Sequence, residues 1–200
     1  DFWATLGFTF SRIALGFLIA LALAAILAAL AAAVPFIETL LRPYVAAIQS
    51  VPVASFIVIS LIWLSAANIS VFISFLMVTP IVWGALKAAI ENTDKNLLEA
   101  AKAYRLGFRK TVKMVYLPSV APQYAAALIT SLGLAWKSGI AAEVLCHPKV
   151  SVGNMLYESK IYLETADLFA WTATVIILSV IMEKCFRVLL KRLTGERSGG

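Results

Sequence analysis

Residues 96–118, NLLEAAKAYRLGFRKTVKMVYLP, lie between long apolar runs and decide how the rest of the chain is organised. Apolar residues recur at helical spacing in the first half of this segment, at Leu97, Leu98, Ala101, Tyr104 and Phe108. Lysines and arginines occupy much of the other face. A basic, amphipathic segment set between apolar runs is predicted to be a mostly helical, aqueous loop of a membrane protein.

The composition of the 200-residue chain also indicates a membrane protein. Hydrophobic residues make up 62% and charged residues 14%, whereas soluble domains average about 45–50% and 25%. Residues 13–37, 43–86 and 114–136 carry no charge. Because a spanning helix needs ~20 apolar residues, the first and third stretches fit one span each and the second fits two. A fifth span is predicted near the C-terminus if the charges at its end reach the interface.

The sequence therefore predicts an all-α fold, a polytopic transmembrane helical bundle. Transmembrane strands alternate apolar and polar residues, whereas residues 15–33 are apolar on every side. The five helices are expected near residues 9–34, 43–66, 69–90, 119–146 and 168–190. Pro52, Pro80 and Pro122 are expected to kink the helices that contain them.

The distribution of positive charge predicts how the chain threads the membrane. Lysines and arginines are dense in residues 87–113 and occur again at or beyond the end of the last helix, at Arg187, Lys191, Arg192 and Arg197. By the positive-inside rule both segments are cytoplasmic, as is the predicted turn at residues 38–42. Residues 146–167 then face outward. Arg12 lies on the outer side as the one exception.

No metal or catalytic site is predicted. His147 has no partner histidine or clustered carboxylates, and we interpret it as a loop residue. Cys146 and Cys185 fall at opposite ends of the last two helices, so no disulfide is expected, and both are interpreted as small apolar residues.

The aqueous loop resembles the EAA loop of ABC-importer permeases. Six residues fall on the spacing of that motif: Glu99, Ala100, Ala101, Val115, Leu117 and Pro118. Arg105 stands where the family has its glycine, and Gly107 follows two residues later. The resemblance implies the type I ABC importer permease fold, a single permease domain over residues 1–200, and a cytoplasmic coupling loop over residues 91–118.

Several residues of this loop have an expected role. The resemblance implies that Glu99 meets a basic surface on the ATPase. Asn96 and Glu99 also have the spacing of a capping box, and the two roles are compatible. Gly107 is expected to end the first helix in a left-handed conformation, and a second short helix is expected to run to Leu117, before Pro118.

The resemblance also implies partners. The sequence contains no Gly-x-x-x-x-Gly-Lys-Ser/Thr motif, so we expect no cofactor in this chain and ATP with Mg²⁺ on separate ATPase subunits. The other implied partners are a second permease copy in a homodimer, an extracytoplasmic solute-binding protein and the lipid of a bacterial inner membrane. No nucleic acid partner is expected. Many permeases of this type have one more helix before the point that corresponds to Asp1, so an N-terminal truncation is expected.

Further segments resemble permeases of the nitrate/sulfonate/taurine type, including residues 133–143, GLAWKSGIAAE, and residues 152–156, VGNML. The resemblance implies a transported anion such as nitrate, a sulfonate or taurine. A thiamine-precursor pyrimidine or a similar heterocycle is the alternative cargo.

Trp136, Lys137 and Glu143 are the candidate residues of the translocation path. A lysine there suits an anionic solute, and the alternative is that Lys137 reaches lipid headgroups. The six-residue spacing places Lys137 and Glu143 on different faces, so we do not pair them. A secondary transporter is a rival function that should show inverted repeats and midplane charges. An intramembrane enzyme is another, for which no candidate residue set is found.

Overall fold

The computed structural model describes residues 1–194, and this part of the chain is helical, without a strand. The predicted all-α fold is thus confirmed. The helices are α1 (Phe2–Ala33), α2 (Pro35–Ser50), α3 (Val53–Ser60), α4 (Ala66–Glu91), α5 (Lys95–Ala103), α6 (Phe108–Thr111), a π-helical turn (Val112–Tyr116), α7 (Leu117–Cys146), α8 (Val152–Ile161) and α9 (Thr165–Thr194).

The centre of the bundle is α4, with α1 packed on one side and α7 on another. Ala20, Ala24 and Ala28 form a buried stripe along α1, because residues four apart share a helix face. Gly16 continues that stripe, and a Cβ added there would collide with the backbone carbonyl of Val71 on α4. Small side chains therefore allow the close helix contacts on which packing in lipid depends.

The second predicted span is broken. A single helix over residues 43–66 is expected from the sequence, but the structure has α2 followed by α3, bent by 100° relative to each other. The break falls at Pro52, which cannot continue a helix because it lacks an N–H and restricts the residue before it. The predicted turn at residues 38–42 is also wrong, because those residues lie inside α2.

The number of spans differs from the predicted five. Within residues 1–194, α1, α4 and the continuous helical stretch Phe108–Cys146 are long and apolar enough to cross a membrane, and the bent pair of α2 and α3 would count as a fourth span. Helix α9 is not among them, although it has 30 residues. Its membrane crossing stays a prediction, and Arg197 and the side chain of Lys191 lie outside the described part.

An ion-pair cluster joins α2 to α4. Lys87 Nζ lies 2.9 Å from Glu38 Oε1 and 2.8 Å from Glu91 Oε1, and Arg42 Nη2 lies 2.6 Å from Glu38 Oε1. Because Lys87 lies near the end of α4, the start of α2 is held at the end of the bundle from which the chain enters α5. Helices α4 and α7 continue through Pro80 and Pro122.

Candidate functional site

The aqueous loop begins with a capped helix. The N-cap of α5 is Asp94, whose side chain accepts a 2.8 Å hydrogen bond from the backbone N–H of Asn96. Asn96 therefore lies inside the helix, and the predicted capping box with Glu99 does not form. Glu99 is exposed and makes no hydrogen bond or ion pair within residues 1–194. Its carboxylate is thus available to a partner molecule.

Arg105 ends α5 in the left-handed conformation, with φ of 51°. The N–H of Leu106 donates to the Ala101 carbonyl, and the N–H of Arg105 donates to the Lys102 carbonyl, both at 2.9 Å. This is the Schellman arrangement, in which glycine is usual. Gly107, expected to end the helix this way, instead has φ of −66° and caps α6. Arg105 thus takes the conformation suited to the glycine that the motif has at its position.

The loop joins α7 without an interruption. Helix α6 leads into the π-helical turn and then into α7, so the expected helix end before Pro118 is wrong. Pro118 lies in the first turn of α7, where its ring would crowd the carbonyl four residues earlier in a regular α-helix. The wider π-helical turn directly before it gives a physical reason why the helix continues.

The outer surface of this loop is aromatic and basic. Tyr104 is 81% exposed and Phe108 is 82% exposed. Four of the exposed residues around them are basic: Lys102, Arg105, Arg109 and Lys110. Among the motif residues, Ala100, Gly107, Leu117 and Pro118 are exposed, whereas Ala101 and Val115 are buried. Exposed aromatic residues with a polar rim are typical of a protein interaction site.

At the opposite end of the bundle, Glu143 on α7 is completely buried. Its Oε2 accepts hydrogen bonds from the hydroxyl of Thr9 at 2.8 Å and from the N–H of Gly153 at 3.3 Å. Its Oε1 lies 3.6 Å from Nη1 of Arg12. This contact gives Arg12, the exception to the charge rule, a buried acidic partner. The carboxylate therefore holds α1, α7 and the start of α8 together.

The three candidate path residues have different environments. Trp136 is buried and its Nε1 donates to the Val175 carbonyl of α9 at 3.3 Å. Glu143 pairs with Arg12 rather than with Lys137. Only Lys137 has an exposed side chain, and its role in a path stays a prediction.

Lys137 belongs to a polar stripe on α7 that sequence reasoning missed. Gln123, Thr130 and Lys137 are all exposed, and their seven-residue spacing places them on one face of the helix. By contrast, the exposed residues of α1 include Leu15 and Leu18, which suit lipid. Polar side chains inside a membrane usually face a protein interior or a water-filled cavity. The seven-residue spacing is the signal that could have revealed this stripe.

Glu183 was also missed as a site residue. The sequence places it among charges that reach the interface, but its carboxylate lies against Gly133, near the middle of α7. A Cβ added to Gly133 would lie 2.7 Å from Glu183 Oε1. The sequence signal that could have revealed this is the short side chain of glutamate, which reaches the membrane interface less easily than that of lysine or arginine.

The remaining candidates carry no further site. Residues 1–194 contain no group of three or more His, Cys, Asp or Glu able to hold a metal ion. His147 ends α7 in a left-handed conformation, with φ of 49°. Cys146 is buried, and Cys185 is exposed on α9.

These features define a polytopic helical membrane protein with an exposed basic and aromatic loop between α4 and α7. A family model described as the inner membrane component of binding-protein-dependent transport systems matches residues 20–194. The chain belongs to this family. The predicted resemblance to ABC-importer permeases is thereby confirmed, and the family is that of the membrane component of the transport system.

Two curated relatives resemble the chain. One is a taurine transport system permease protein of Escherichia coli (strain K12), 24% identical over 162 residues, which are 80% of this chain and 58% of the relative. The other is a putative aliphatic sulfonates transport permease protein of Bacillus subtilis (strain 168), 23% identical over 189 residues, which are 94% of this chain and 68% of the relative. The chain thus spans about three fifths to two thirds of their lengths.

A solved structure has the same fold. It is the crystal structure of an amino acid ABC transporter with histidines, matched with a TM-score of 0.68 at 18% identity. The match covers 96% of this chain and 90% of the other. At this identity the similarity concerns the fold alone, and it agrees with the expected permease fold.

Proposed function

We propose that this chain lines the translocation path of an ABC importer for a small sulfonate and is driven by a separate ATPase that docks on residues 91–118. The observation that carries the proposal is the exposed, unpaired Glu99 on α5, close in sequence to the exposed rings of Tyr104 and Phe108. The loop and the C-terminus are cytoplasmic in this proposal, and residues 1–200 form one permease domain.

The coupling step follows from the stiffness of the loop. Helix α5 packs against the π-helical turn, and that turn is continuous with α7. A partner that binds Tyr104 and Phe108 and then moves therefore displaces a helix that crosses the membrane. Two permease copies would bring two loops to an ATPase dimer, so closing the dimer on ATP moves the two copies of α7 relative to each other.

The path follows the polar stripe of α7. A sulfonate must lose part of its hydration water in a narrow path between apolar helices, and the positive charge of Lys137 offsets part of that cost. Gln123 and Thr130 continue the stripe with hydrogen-bonding groups toward the end of α7 that joins the loop. The names of the two relatives, which specify taurine and aliphatic sulfonates, support this class of solute. An extracytoplasmic binding protein would deliver it.

Glu99→Lys tests the docking step. The change places a positive charge where the ATPase surface is expected to be basic, so the ATPase should no longer copurify and solute-stimulated ATP hydrolysis should fall at least tenfold. The site is aqueous, so membrane insertion should be unchanged.

Glu164→Lys is the matched control, because Glu164 is also exposed but lies just before α9, on the predicted outer side. It should leave ATPase copurification at the wild-type level. Normal copurification and normal ATP hydrolysis with Glu99→Lys would show that the loop is not the docking site.

A further inference from the structure

Two side chains of opposite charge, one on α7 and one packed against α7, have no partner within residues 1–194. Lys137 on α7 and Glu183 on α9 form no ion pair or hydrogen bond with each other or with any other residue in the described range 1–194. Lys137 lies on a helical stretch long and apolar enough to cross a membrane, where an unpaired charge is costly and usually functional. Glu143, by contrast, has three partners: Thr9, Gly153 and Arg12.

The backbone brings these charges to the same side of α7. Glu183 lies against Gly133 because the absence of a side chain leaves room for its carboxylate. Gly133 and Lys137 are four residues apart, so they project from one helix face with Cβ positions ~5–6 Å apart. The Glu183 carboxylate thus lies about one helical turn from the Cβ of Lys137 along a shared face.

This spacing suits a ligand that carries both charges itself. We propose that Lys137 and Glu183 bind the two ends of a small zwitterion, with its sulfonate on Lys137 and its ammonium group on Glu183. The proposal rests on the proposed path along α7 and adds selectivity to it. An aminosulfonate satisfies both side chains, whereas a simple alkanesulfonate leaves the carboxylate without a partner.

The test is ligand binding to the purified permease–ATPase complex in detergent, followed as a shift in thermal stability, without any binding protein. The probes are taurine, ethanesulfonate, which lacks the ammonium group, and ethylamine, which lacks the sulfonate. We expect taurine to bind roughly tenfold to hundredfold more tightly than ethanesulfonate, the range for one charge-assisted hydrogen bond in a buried site. Equal affinity of the wild-type complex for these two probes would overturn the proposal.

Substitutions test which end of the ligand each charged side chain binds. Glu183→Gln should reduce taurine affinity to that of ethanesulfonate and leave ethanesulfonate binding unchanged, whereas Lys137→Met should weaken both. Gly133→Ala keeps both charges but displaces the carboxylate, so it should also weaken only taurine. Lys184→Gln, a change of the exposed neighbouring residue, is the control and should alter neither.

The two proposals can fail separately. If Glu183→Gln weakened taurine and ethanesulfonate equally, or neither, the zwitterion subsite would be refuted. The path along α7 would still stand if Lys137→Met reduced transport at a normal level of assembled complex.

Discussion

The hydroxyl of Thr9 on α1 donates a 2.8 Å hydrogen bond to the Glu143 carboxylate on α7, and the N–H of Val152 on α8 donates to the same hydroxyl at 3.0 Å. One small side chain therefore connects three helices in a buried site. Buried polar groups are costly when they lose a partner. The end of the bundle opposite the loop consequently depends on this threonine for its arrangement.

Thr9→Val keeps the shape of the side chain and removes the hydroxyl. It leaves the Val152 N–H and one lone pair of Glu143 unsatisfied, so we expect a loss of about 1–3 kcal/mol in the free energy of unfolding. Unfolding of the purified complex in detergent measures this loss. Thr172→Val is the matched control, because Thr172 is exposed and donates only to a carbonyl of its own helix. Equal effects of the two changes would contradict the account.

Gly153 is predicted to tolerate no side chain. A Cβ there would collide with the Cβ and backbone of Glu143, so Gly153→Ala must push α8 away from α7. We expect a destabilisation of about 1–3 kcal/mol, the usual cost of overpacking. Gly84→Ala is the control in a helix with open space around the glycine, and it should stabilise by about 0.5–1 kcal/mol. Thermal unfolding of both variants tests the contrast, and a neutral Gly153→Ala would refute the close contact.

Arg105→Gly is predicted to stabilise the loop. The left-handed conformation costs a residue with a side chain about 1–2 kcal/mol, and glycine avoids this cost. Amide hydrogen exchange at Leu106, whose N–H closes the turn onto Ala101, should therefore slow roughly fivefold to thirtyfold. Arg109→Gly, inside α6, should not slow it. Faster exchange in Arg105→Gly would show that the arginine side chain, rather than the backbone, maintains the turn.

The sequence predicts much of the fold because long apolar runs and proline positions act locally. Helices α4 and α7 begin and end close to the predicted bounds of residues 69–90 and 119–146. The position of Pro52 marks the break between α2 and α3. The 100° bend itself depends on how α2 and α3 pack against the rest of the bundle, which the proline alone does not determine.

The site was less predictable because its contacts are distant in sequence. Thr9 and Glu143 are separated by 134 residues, and no periodic pattern links them. Glu183 meets Gly133 only because α9 runs antiparallel to α7. At Arg105, the sequence favours the neighbouring glycine as the helix end, whereas the hydrogen bonds to Ala101 and Lys102 place the end two residues earlier.

Thiol labelling of Thr130→Cys tests the central claim most directly. The variant is made with Cys146 and Cys185 replaced by alanine, assembled with its ATPase in membranes and treated with a charged, water-soluble thiol reagent, with and without trapped ATP. Leu18→Cys, on the exposed apolar face of α1, is the control for a lipid-facing position.

The account predicts that Thr130→Cys reacts at least tenfold faster than Leu18→Cys. It also predicts that trapped ATP changes the rate severalfold and that adding Glu99→Lys abolishes this change. Labelling of Thr130→Cys as slow as that of Leu18→Cys, or unaffected by ATP, would contradict a water-filled path on α7 that is coupled to the loop.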